Sequence, residues 1–513
     1  MSVKLDRRTF LLASSATALL PFAGFARAAG DRLNPVIAVD ADIGSLDPGN
    51  RVGTTEGNII RSVCQTLVRF EPGKLSWSND AAKEIRQISD TEFEFELNAG
   101  QMFTGDFGEM TAEDVKYSFD RFINGDNGKK LAYADDMEAL KSVEITGKYT
   151  GKLILKHRSA ALWLIGICDA SGAILSKKAC EQLGDKIATT LIGSGPLLLK
   201  DWRPKEQFLL AANPDYKGPF KARVGEITGK IIPERRTSFL AYQAKELDFT
   251  AFDADQLDTA KALPDTEVID IAGVDYTWIG INVQKGALAD VKVRQAIRWA
   301  IDVDAIIEGA YAGATSRAKT LLAPGLLGNW ADAPLYNRDL EKAQALLAET
   351  GLTGLTFSFT CLNDATSLAV AQIAQANLAE VGITLNINPM DSGAYWALGA
   401  DNASKDLELT LIPYTSKFDP SFQTQWFLGS QVGLWNWQHW NSPEFDKLHQ
   451  QGVETLEKAQ REAIYIEMQK LLDESASCIW ITHGRNFFVD ASWLTPMLLP
   501  NGKDWQFEYF DRA

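Results

Sequence analysis

The densest group of side chains that could bind a ligand is the stretch 435–441, which reads WNWQHWN and holds three tryptophans, a histidine and two asparagines. Indole faces stack on sugars or other flat groups, and they attract cations. Three interpretations are open from composition alone: a ligand platform, a buried core strand and an exposed apolar patch. The elements that carry the tryptophans must decide between them.

The second half of this stretch predicts a helix, with Ser442 as the N-cap and Pro443 at its first position. The first half predicts an extended strand. Residues two apart share one face of a strand, which pairs Trp435 with Trp437. We predict that the strand ends near residue 438, with Trp437 and Trp440 contacting solute and Trp435 in the core.

The sequence contains none of the common catalytic motifs. There is no G-x-S-x-G elbow, H-E-x-x-H pair or G-x-G-x-x-G loop. The acidic group of Asp253, Asp255 and Asp258 is interpreted as helix capping and a solvated face. The four histidines lack metal-ligand spacing. We therefore predict no catalytic residue, no metal site, no cofactor and no enzymatic activity.

Five cysteines are present, an odd number whose spacing matches no metal site. Two interpretations stay open for Cys168 and Cys180. They could form a disulfide in an oxidising compartment, or they could serve as small buried apolar residues.

The N-terminus predicts an export signal over residues 1–28. Basic residues precede an apolar run from Phe10 to about Phe25, and Ala26-Arg27-Ala28 offers a cleavage point. Arg7-Arg8 followed by Thr-Phe-Leu indicates the twin-arginine type, with an ordinary secretory signal as the alternative. We expect a cleaved protein in the periplasm.

Charge and length restrict the function further. Removal of residues 1–28 takes away four basic residues and one acidic residue, which changes the formal net charge from −16 to −19. Such a chain is a poor partner for nucleic acid or an anionic membrane surface. About 485 residues remain, enough for two or three domains.

The pattern of elements is mixed α and β. Thr111 and Asp114 predict a capped helix, and Asp339 and Gly351 predict the two ends of another. Phe93, Phe95 and Leu97 alternate with glutamates, as in a strand with one buried face. The residues around 203–206 predict the turn of a hairpin.

Several segments, in order, resemble the periplasmic solute-binding proteins of dipeptide, oligopeptide and nickel ABC importers (bacterial extracellular solute-binding family 5). The segments are SLDPGNRVGTTEGNIIRSVCQTLVRFEPG (45–73), FTGDFGEMTAEDVKYSFDR (103–121), GSGPLLLKDWRPKEQFLLAANPDYKGP (193–219), VDYTWIGINVQKGALADVKVRQAIRWAIDVDAII (274–307), YNRDLEKAQALLAETGL and NSPEFDKLHQQG.

The resemblance implies an α/β fold of two lobes around a ligand cleft. Lobe 1 would span 29–270, with an inserted subdomain at about 75–190. Lobe 2 would span 271–480, and residues 481–513 would return to lobe 1. Closure on a solute would then present it to a permease.

The resemblance also suggests where the ligand contacts lie. The expected ligand-binding residues are Thr54, Thr55, Tyr276, Trp278, Trp396, Tyr414, Ser416, Trp437 and Trp440, with Gly53 and Tyr395 in the same segments. Peptide binders of the family carry an aspartate that pairs with the peptide amino terminus, where this chain has Ser416. A hydroxyl cannot supply that ion pair. Asp419 is a substitute, or else a cap before Pro420.

We therefore expect the solute-binding component of an ABC importer, with a peptide, opine-like, glycoside or amine-containing ligand. Its partners would be that small solute and inner-membrane permease subunits, and it would be a monomer without membrane insertion. The alternatives are an exported hydrolase on the same scaffold and a periplasmic chaperone or sensor partner.

Overall fold

The structure is a computed structural model, and it describes residues 33–126 and 128–513. The predicted export signal, residues 1–28, lies outside the described residues. The strands, numbered along the chain, are β1 Val36–Val39, β2 Val68–Phe70, β3 Trp77–Asn79, β4 Ala82–Ser89, β5 Glu92–Leu97, β6 Leu140–Ile145, β7 Thr150–Leu155, β8 Leu197–Arg203, β9 Gln207–Ala212, β10 Glu226–Ile231, β11 Phe249–Phe252, β12 Thr266–Ala272, β13 Tyr276–Ile281, β14 Thr356–Leu362, β15 Thr384–Met390, β16 Leu409–Tyr414, β17 Cys478–Thr482, β18 Arg485–Ala491, β19 Leu494–Thr495 and β20 Asp511–Arg512. The helices are α1 Thr54–Val63, α2 Ala112–Asn124, α3 Lys177–Leu183, α4 Arg235–Gln243, α5 Leu257–Lys261, α6 Val291–Ala300, α7 Val303–Tyr311, α8 Leu340–Thr350, α9 Ala365–Ala379, α10 Ser392–Trp396, α11 Pro420–Thr424, α12 Pro443–Glu454 and α13 Lys458–Glu474.

Two large sheets define two lobes. The first lobe is built on seven strands in the order β12-β18-β11-β1-β10-β9-β8, in which β1 runs parallel to β10 and β11. The second lobe is built on five strands in the order β15-β14-β16-β13-β17, in which β14 runs parallel to β15 and β16. Helices cover the sheets, so each lobe has its own apolar core.

A smaller subdomain contains the antiparallel sheet β4-β5-β7-β6, against which α2 packs. In β5 the side chains of Phe93, Phe95 and Leu97 are buried while the intervening glutamates are half-buried, which confirms the predicted alternation. Helix α2 begins with the predicted capping box, in which the Thr111 N–H donates to the Asp114 carboxylate at 2.8 Å. Local sequence therefore determines these elements.

The chain crosses between the two large sheets twice, from β12 to β13 and from β17 to β18. The crossing segments touch, because the Gly273 N–H donates to the carbonyl of Gly484 at 3.0 Å. Gly484 has a φ of +73°, a left-handed conformation that favours glycine. The residue boundaries expected for the lobes, 29–270, 271–480 and 481–513 with the subdomain at 75–190, stay predictions.

The tryptophan-rich stretch departs from the predicted strand. Residues 433–438 form successive turns, because the Asn436 side-chain amide donates to the carbonyls of Phe427, Leu428 and Trp440 at 3.1, 3.2 and 2.7 Å. These bonds hold the segment in turns, whereas an extended strand would pair its backbone with a neighbouring strand. The helix start is confirmed, since the Ser442 hydroxyl accepts from the N–H of Phe445 and Pro443 opens α12.

Candidate ligand-binding site

A cavity of about 770 Å³ lies between the two lobes, and we call it the main cavity. Its walls come from the start of α1, from residues 132–139 and 159–169 of the subdomain region, from residues 415–431, and from residues 501–504 near the C-terminus. Both lobes therefore contribute side chains to one cleft. That arrangement is the usual place for a small-molecule site.

The first-lobe wall is built on α1. The Glu56 carboxylate accepts from the Gly53 N–H at 3.0 Å and fixes the first turn, in which Thr54 lines the main cavity. Two turns later Arg61 enters the same wall, where its guanidinium contacts Asp169 at 2.5 Å and Asp504 at 2.7 Å. Helix α1 thus places the Arg61 guanidinium on the cavity wall, where it is already paired with two aspartates.

A second arginine organises the subdomain side. The Arg51 guanidinium lies 3.6 Å above the Tyr133 ring and contacts Asp136 and Asp169 at 3.3 and 3.4 Å. Burial alone would raise the pKa of Asp169, but the charges of Arg61 and Arg51 hold that pKa well below its usual value. Asp169 is therefore an anion held between two guanidinium groups.

The second-lobe wall follows the end of β16. The Ser416 N–H donates to Asp275 at 3.0 Å, its hydroxyl accepts from the Gln423 side chain, and Lys503 pairs with the same Asp275. Next to it, the Lys417 ammonium contacts Asp136 across the cavity at 2.5 Å. This last ion pair joins the second lobe to the subdomain.

A second, more open pocket of about 280 Å³ adjoins the main cavity on the second-lobe side, and we call it the aromatic pocket. It shares Thr415, Phe422 and Trp426 with the main cavity. Its full lining is Trp396, Pro413, Tyr414, Thr415, Phe422, Trp426 and Trp435. Aromatic rings therefore form most of this surface.

The expected ligand contacts fall into different places. Thr54, Gly53 and Ser416 line the main cavity, and Trp396 and Tyr414 line the aromatic pocket. Thr55 is buried and lines a separate pocket of about 190 Å³ in the first lobe.

The remaining expected contacts lie in the second-lobe core. Tyr276 and Trp278 on β13 are buried and stack on each other, 5.2 Å between ring centroids. Tyr395 is buried with them. A β13 strand paired on both sides directs these rings into the core, away from the main cavity and the aromatic pocket.

The tryptophans of 435–440 occupy positions opposite to those expected. Trp437 is buried in the core, with its indole N–H donated to the carbonyl of Leu434 at 2.8 Å. Trp440 packs edge-on against Phe445 and lines neither pocket. Trp435, expected in the core, lines the aromatic pocket instead. The turns at 433–438 cause this difference, because they abolish the alternation of a strand.

Asp419 acts as a cap. Its carboxylate accepts from the Ser421 N–H and forms a two-point contact with Arg461, both at 2.7 Å. The Asp419 side chain is fully buried. It is therefore a structural group, and it does not replace the carboxylate missing at position 416.

Sequence reasoning missed most of the polar cavity wall. The charged groups it did not identify are Arg51, Arg61, Asp135, Asp136, Glu138, Asp169, Asp275, Lys417, Lys503 and Asp504. The one available signal was Arg61, a charged residue that directly follows the apolar pair Ile59 and Ile60 in helix α1. The other groups come from separate segments, and their proximity depends on the tertiary fold.

The cysteines and possible metal ligands add no further site. All five cysteines are buried free thiols, so Cys168 and Cys180 are not joined. Within residues 33–126 and 128–513, no group of three or more His, Cys, Asp or Glu side chains could hold a metal ion. No helix in that part of the chain is long and apolar enough to cross a bilayer.

Comparison with known proteins identifies relatives over most of the chain. The family described as bacterial extracellular solute-binding proteins, family 5 Middle, matches residues 77–434. The probable D,D-dipeptide-binding periplasmic protein DdpA of Escherichia coli K12 is 27% identical over 458 residues, which are 87% of each chain. The probable di/tripeptide-binding protein 5 of Pseudomonas aeruginosa is 30% identical, over 82% of this chain and 84% of the relative.

A solved structure shows the same fold. The ABC transporter-associated periplasmic binding protein DppA from Helicobacter pylori, in complex with the peptide STSA, superposes with a TM-score of 0.79 at 24% identity. The match covers 94% of this chain and 99% of that one. The predicted two-lobed α/β fold is thereby confirmed. The chain belongs to the bacterial extracellular solute-binding proteins of family 5, and it is the substrate-binding component of an ABC importer.

Proposed function

We propose that the protein captures an amine-containing small solute in the main cavity and delivers it to its permease. It acts without catalysis, as a monomer in the periplasm. Residues 1–28 serve as its export signal, of the twin-arginine type. The single observation that carries the proposal is the main cavity itself, about 770 Å³ between two lobes. Small-molecule pockets fall in the range of about 300–1,000 Å³.

The charge pattern of the wall bears on the solute class. The four basic side chains, Arg51, Arg61, Lys417 and Lys503, each contact an aspartate within the same wall. Six acidic side chains line the same cavity, namely Asp135, Asp136, Glu138, Asp169, Asp275 and Asp504, so the wall has two more acidic than basic groups. An acidic excess favours a solute that carries a positive charge over one that carries a negative charge.

A short peptide is the main competing ligand, because relatives of this chain are named for binding dipeptides and tripeptides. A peptide amino terminus needs a carboxylate that is free to pair with it. The second-lobe wall offers Ser416 at the relevant place, and Asp419 is committed to Arg461. We therefore rank a peptide with a free amino terminus below other amines.

Both lobes contact each other around the cavity. Besides the Lys417–Asp136 pair, the Ala160 N–H donates to the carbonyl of Val453 at 3.1 Å, and Phe70 packs edge-on against Phe418. A solute that touches both walls adds to these contacts only when the lobes are together. Capture with closure follows from that difference in contacts between the open and closed states.

The exported hydrolase gains no support from the positions of its candidate carboxylates. Asp253 caps a short helical turn, and Asp255 pairs with Arg236 on the exposed surface at 2.6 Å. Neither lines the main cavity. No specific observation favours a chaperone or a sensor partner.

The test begins with the solute that the protein retains through gentle purification, identified by native mass spectrometry. Calorimetry then measures its affinity for the wild type and for Thr415→Trp, which places a large ring at an exposed position that lines both pockets. Thr353→Trp is the matched control, because Thr353 is exposed in a loop away from the cavity. We expect Thr415→Trp alone to lose binding.

Two results would overturn the proposal. One is turnover of the retained solute into a product. The other is equal affinity in Thr415→Trp and Thr353→Trp when both variants unfold at the wild-type temperature, since the solute would then bind outside the main cavity.

A further inference from the structure

The aromatic pocket has a chemistry different from that of the main cavity. Rings of Trp396, Tyr414, Phe422, Trp426 and Trp435 form its walls, and no charged side chain lines it. We propose that it is a cage for a fully alkylated ammonium group, and that the delivered solute is a quaternary amine whose remaining part lies in the main cavity. This inference rests on the proposed function and names the solute class within it.

Three of the rings have the geometry that a cation cage requires. The centroids of Tyr414, Trp426 and Trp435 are 6.3, 6.3 and 6.4 Å apart, and each pair of rings meets at 76°. All three rings line the same pocket, and three perpendicular rings with this spacing whose faces turn toward it would leave one point about 4.5 Å from each centroid. Attraction between a cation and a ring extends to about 6 Å from the centroid, so one cation would be in range of all three.

These rings are held in place before any ligand binds. The Tyr414 hydroxyl donates to the carbonyl of Trp435 at 2.8 Å, which links two walls of the cage. The Trp435 ring lies against Gly399, where even a Cβ atom would approach within 2.5 Å, and it stacks on the buried Trp437. A preformed cage avoids the entropy of ordering the rings on binding.

The scarcity of polar groups in the lining selects the kind of ammonium, because Thr415 and Tyr414 supply its only side-chain hydroxyls and that of Tyr414 is already donated to Trp435. A primary ammonium has three N–H donors, and burying them without acceptors is unfavourable. An ammonium with four carbon substituents has no N–H to satisfy, and it keeps its positive charge. Such an ion gains the ring attraction without the unpaired donors, so the aromatic pocket favours it over a lysine-like or amino-terminal group.

Charge around the pocket is compatible with a cation. The formal net charge of the chain is −16, and a negative field raises the local concentration of cations. Lys417 lies near one wall, 5.5 Å from the Phe422 centroid, but its charge is balanced by Asp136 at 2.5 Å. The nearest basic group therefore does not repel the ligand as a free charge would.

The test compares choline with 3,3-dimethylbutan-1-ol, a neutral alcohol of the same shape in which carbon replaces the ammonium nitrogen. Calorimetry and intrinsic tryptophan fluorescence follow binding to the full-length mature protein. We expect choline to bind at least tenfold more tightly than the alcohol. Trp426→Leu and Trp435→Leu keep an apolar wall but remove a ring, and each should weaken choline binding by about two- to thirtyfold.

Trp440→Leu is the matched control, because Trp440 is a half-buried tryptophan in the same region that lines neither pocket. We expect it to bind choline as the wild type does. Equal affinity for choline and the neutral alcohol, no binding of choline, or full choline affinity in both cage variants would each overturn the cage.

The chemical identity of the retained solute, together with its dependence on Thr415, distinguishes a failure of this inference from a failure of the proposed function. If that solute binds the main cavity, depends on Thr415 and carries no quaternary nitrogen, then the cage is wrong while capture by the main cavity stands. If no solute depends on Thr415, the proposed function fails as well.

Discussion

Lys417 and Asp136 join the second lobe to the subdomain across the main cavity, with side chains 18% and 8% exposed and an N–O distance of 2.5 Å. Replacing Lys417 with Met keeps an unbranched apolar side chain but removes the ammonium, which lies 5.5 Å from the centroids of both the Tyr133 and the Phe422 rings. A hydrogen bond to a charged group contributes about 1.5–3 kcal/mol. The substitution therefore weakens the closed state and should lower solute affinity.

The surroundings of Asp136 set the expected magnitude. Its carboxylate also accepts from the Ser171 hydroxyl at 2.5 Å and contacts Arg51 at 3.3 Å, so it is not left unpaired when Lys417 is removed. We therefore use the lower end of the range, about 1.5 kcal/mol, which corresponds to a loss of affinity of roughly tenfold for a ligand that binds the closed form. The double variant Asp136→Asn with Lys417→Met should lose less binding free energy than the sum of the losses in the two single variants.

Calorimetry gives the affinity, and small-angle scattering gives the radius of gyration with and without solute. Lys83→Met is the control, because Lys83 forms a pair of 2.8 Å with Glu96 away from the main cavity, while the two side chains are 61% and 41% exposed. Exposed pairs contribute about 0–1 kcal/mol, so this variant should behave like the wild type. If Lys417→Met binds solute within twofold of the wild type and closes to the same radius, the pair does not stabilise the closed state.

Three further predictions follow from buried side chains. Trp437→Ala should destabilise the protein by about 3–5 kcal/mol in urea unfolding, because Trp437 is a core residue; a loss of affinity at unchanged stability would contradict this. Burial lowers the pKa of His449 to about 4, against about 6.5 when unfolded, so the unfolded state takes up the proton first as the pH falls. The stability gained by keeping His449 neutral is present above about pH 6.5 and is lost between about pH 6.5 and 4. His449→Gln should reduce this loss, measured as the difference in the free energy of unfolding between about pH 7.5 and about pH 4.5. A thiol reagent should find no reactive cysteine in the native protein and five after denaturation, since all five are buried and free; rapid labelling of native thiols would show the burial to be wrong.

Local elements could be predicted because their signals lie within a few residues. The capping box of Thr111 and Asp114 and the start of α12 at Ser442 depend on neighbouring side chains and backbone N–H groups. The alternation in β5 depends on a two-residue period. The ordered set of resembling segments then predicted the two-lobed fold.

The positions of the aromatic residues could not be read in the same way. The stretch 435–438 alternates like a strand, but Asn436 bonds to carbonyls at Phe427 and Leu428 and folds it into turns. Those partners lie eight and nine residues earlier, so no period within the stretch reveals them. As a result Trp435 and Trp437 occupy places opposite to those expected.

The charged cavity wall shows the same limit over longer separations. Arg61 contacts Asp169 and Asp504, which lie 108 and 443 residues away in the sequence. Sequence alone determined the capped helices and the alternating strand β5, which follow from short-range patterns, and the order of the resembling segments indicated the family. Only the tertiary structure decided which rings and charges face the solute, because burial and charge pairing depend on segments that meet after the lobes have folded.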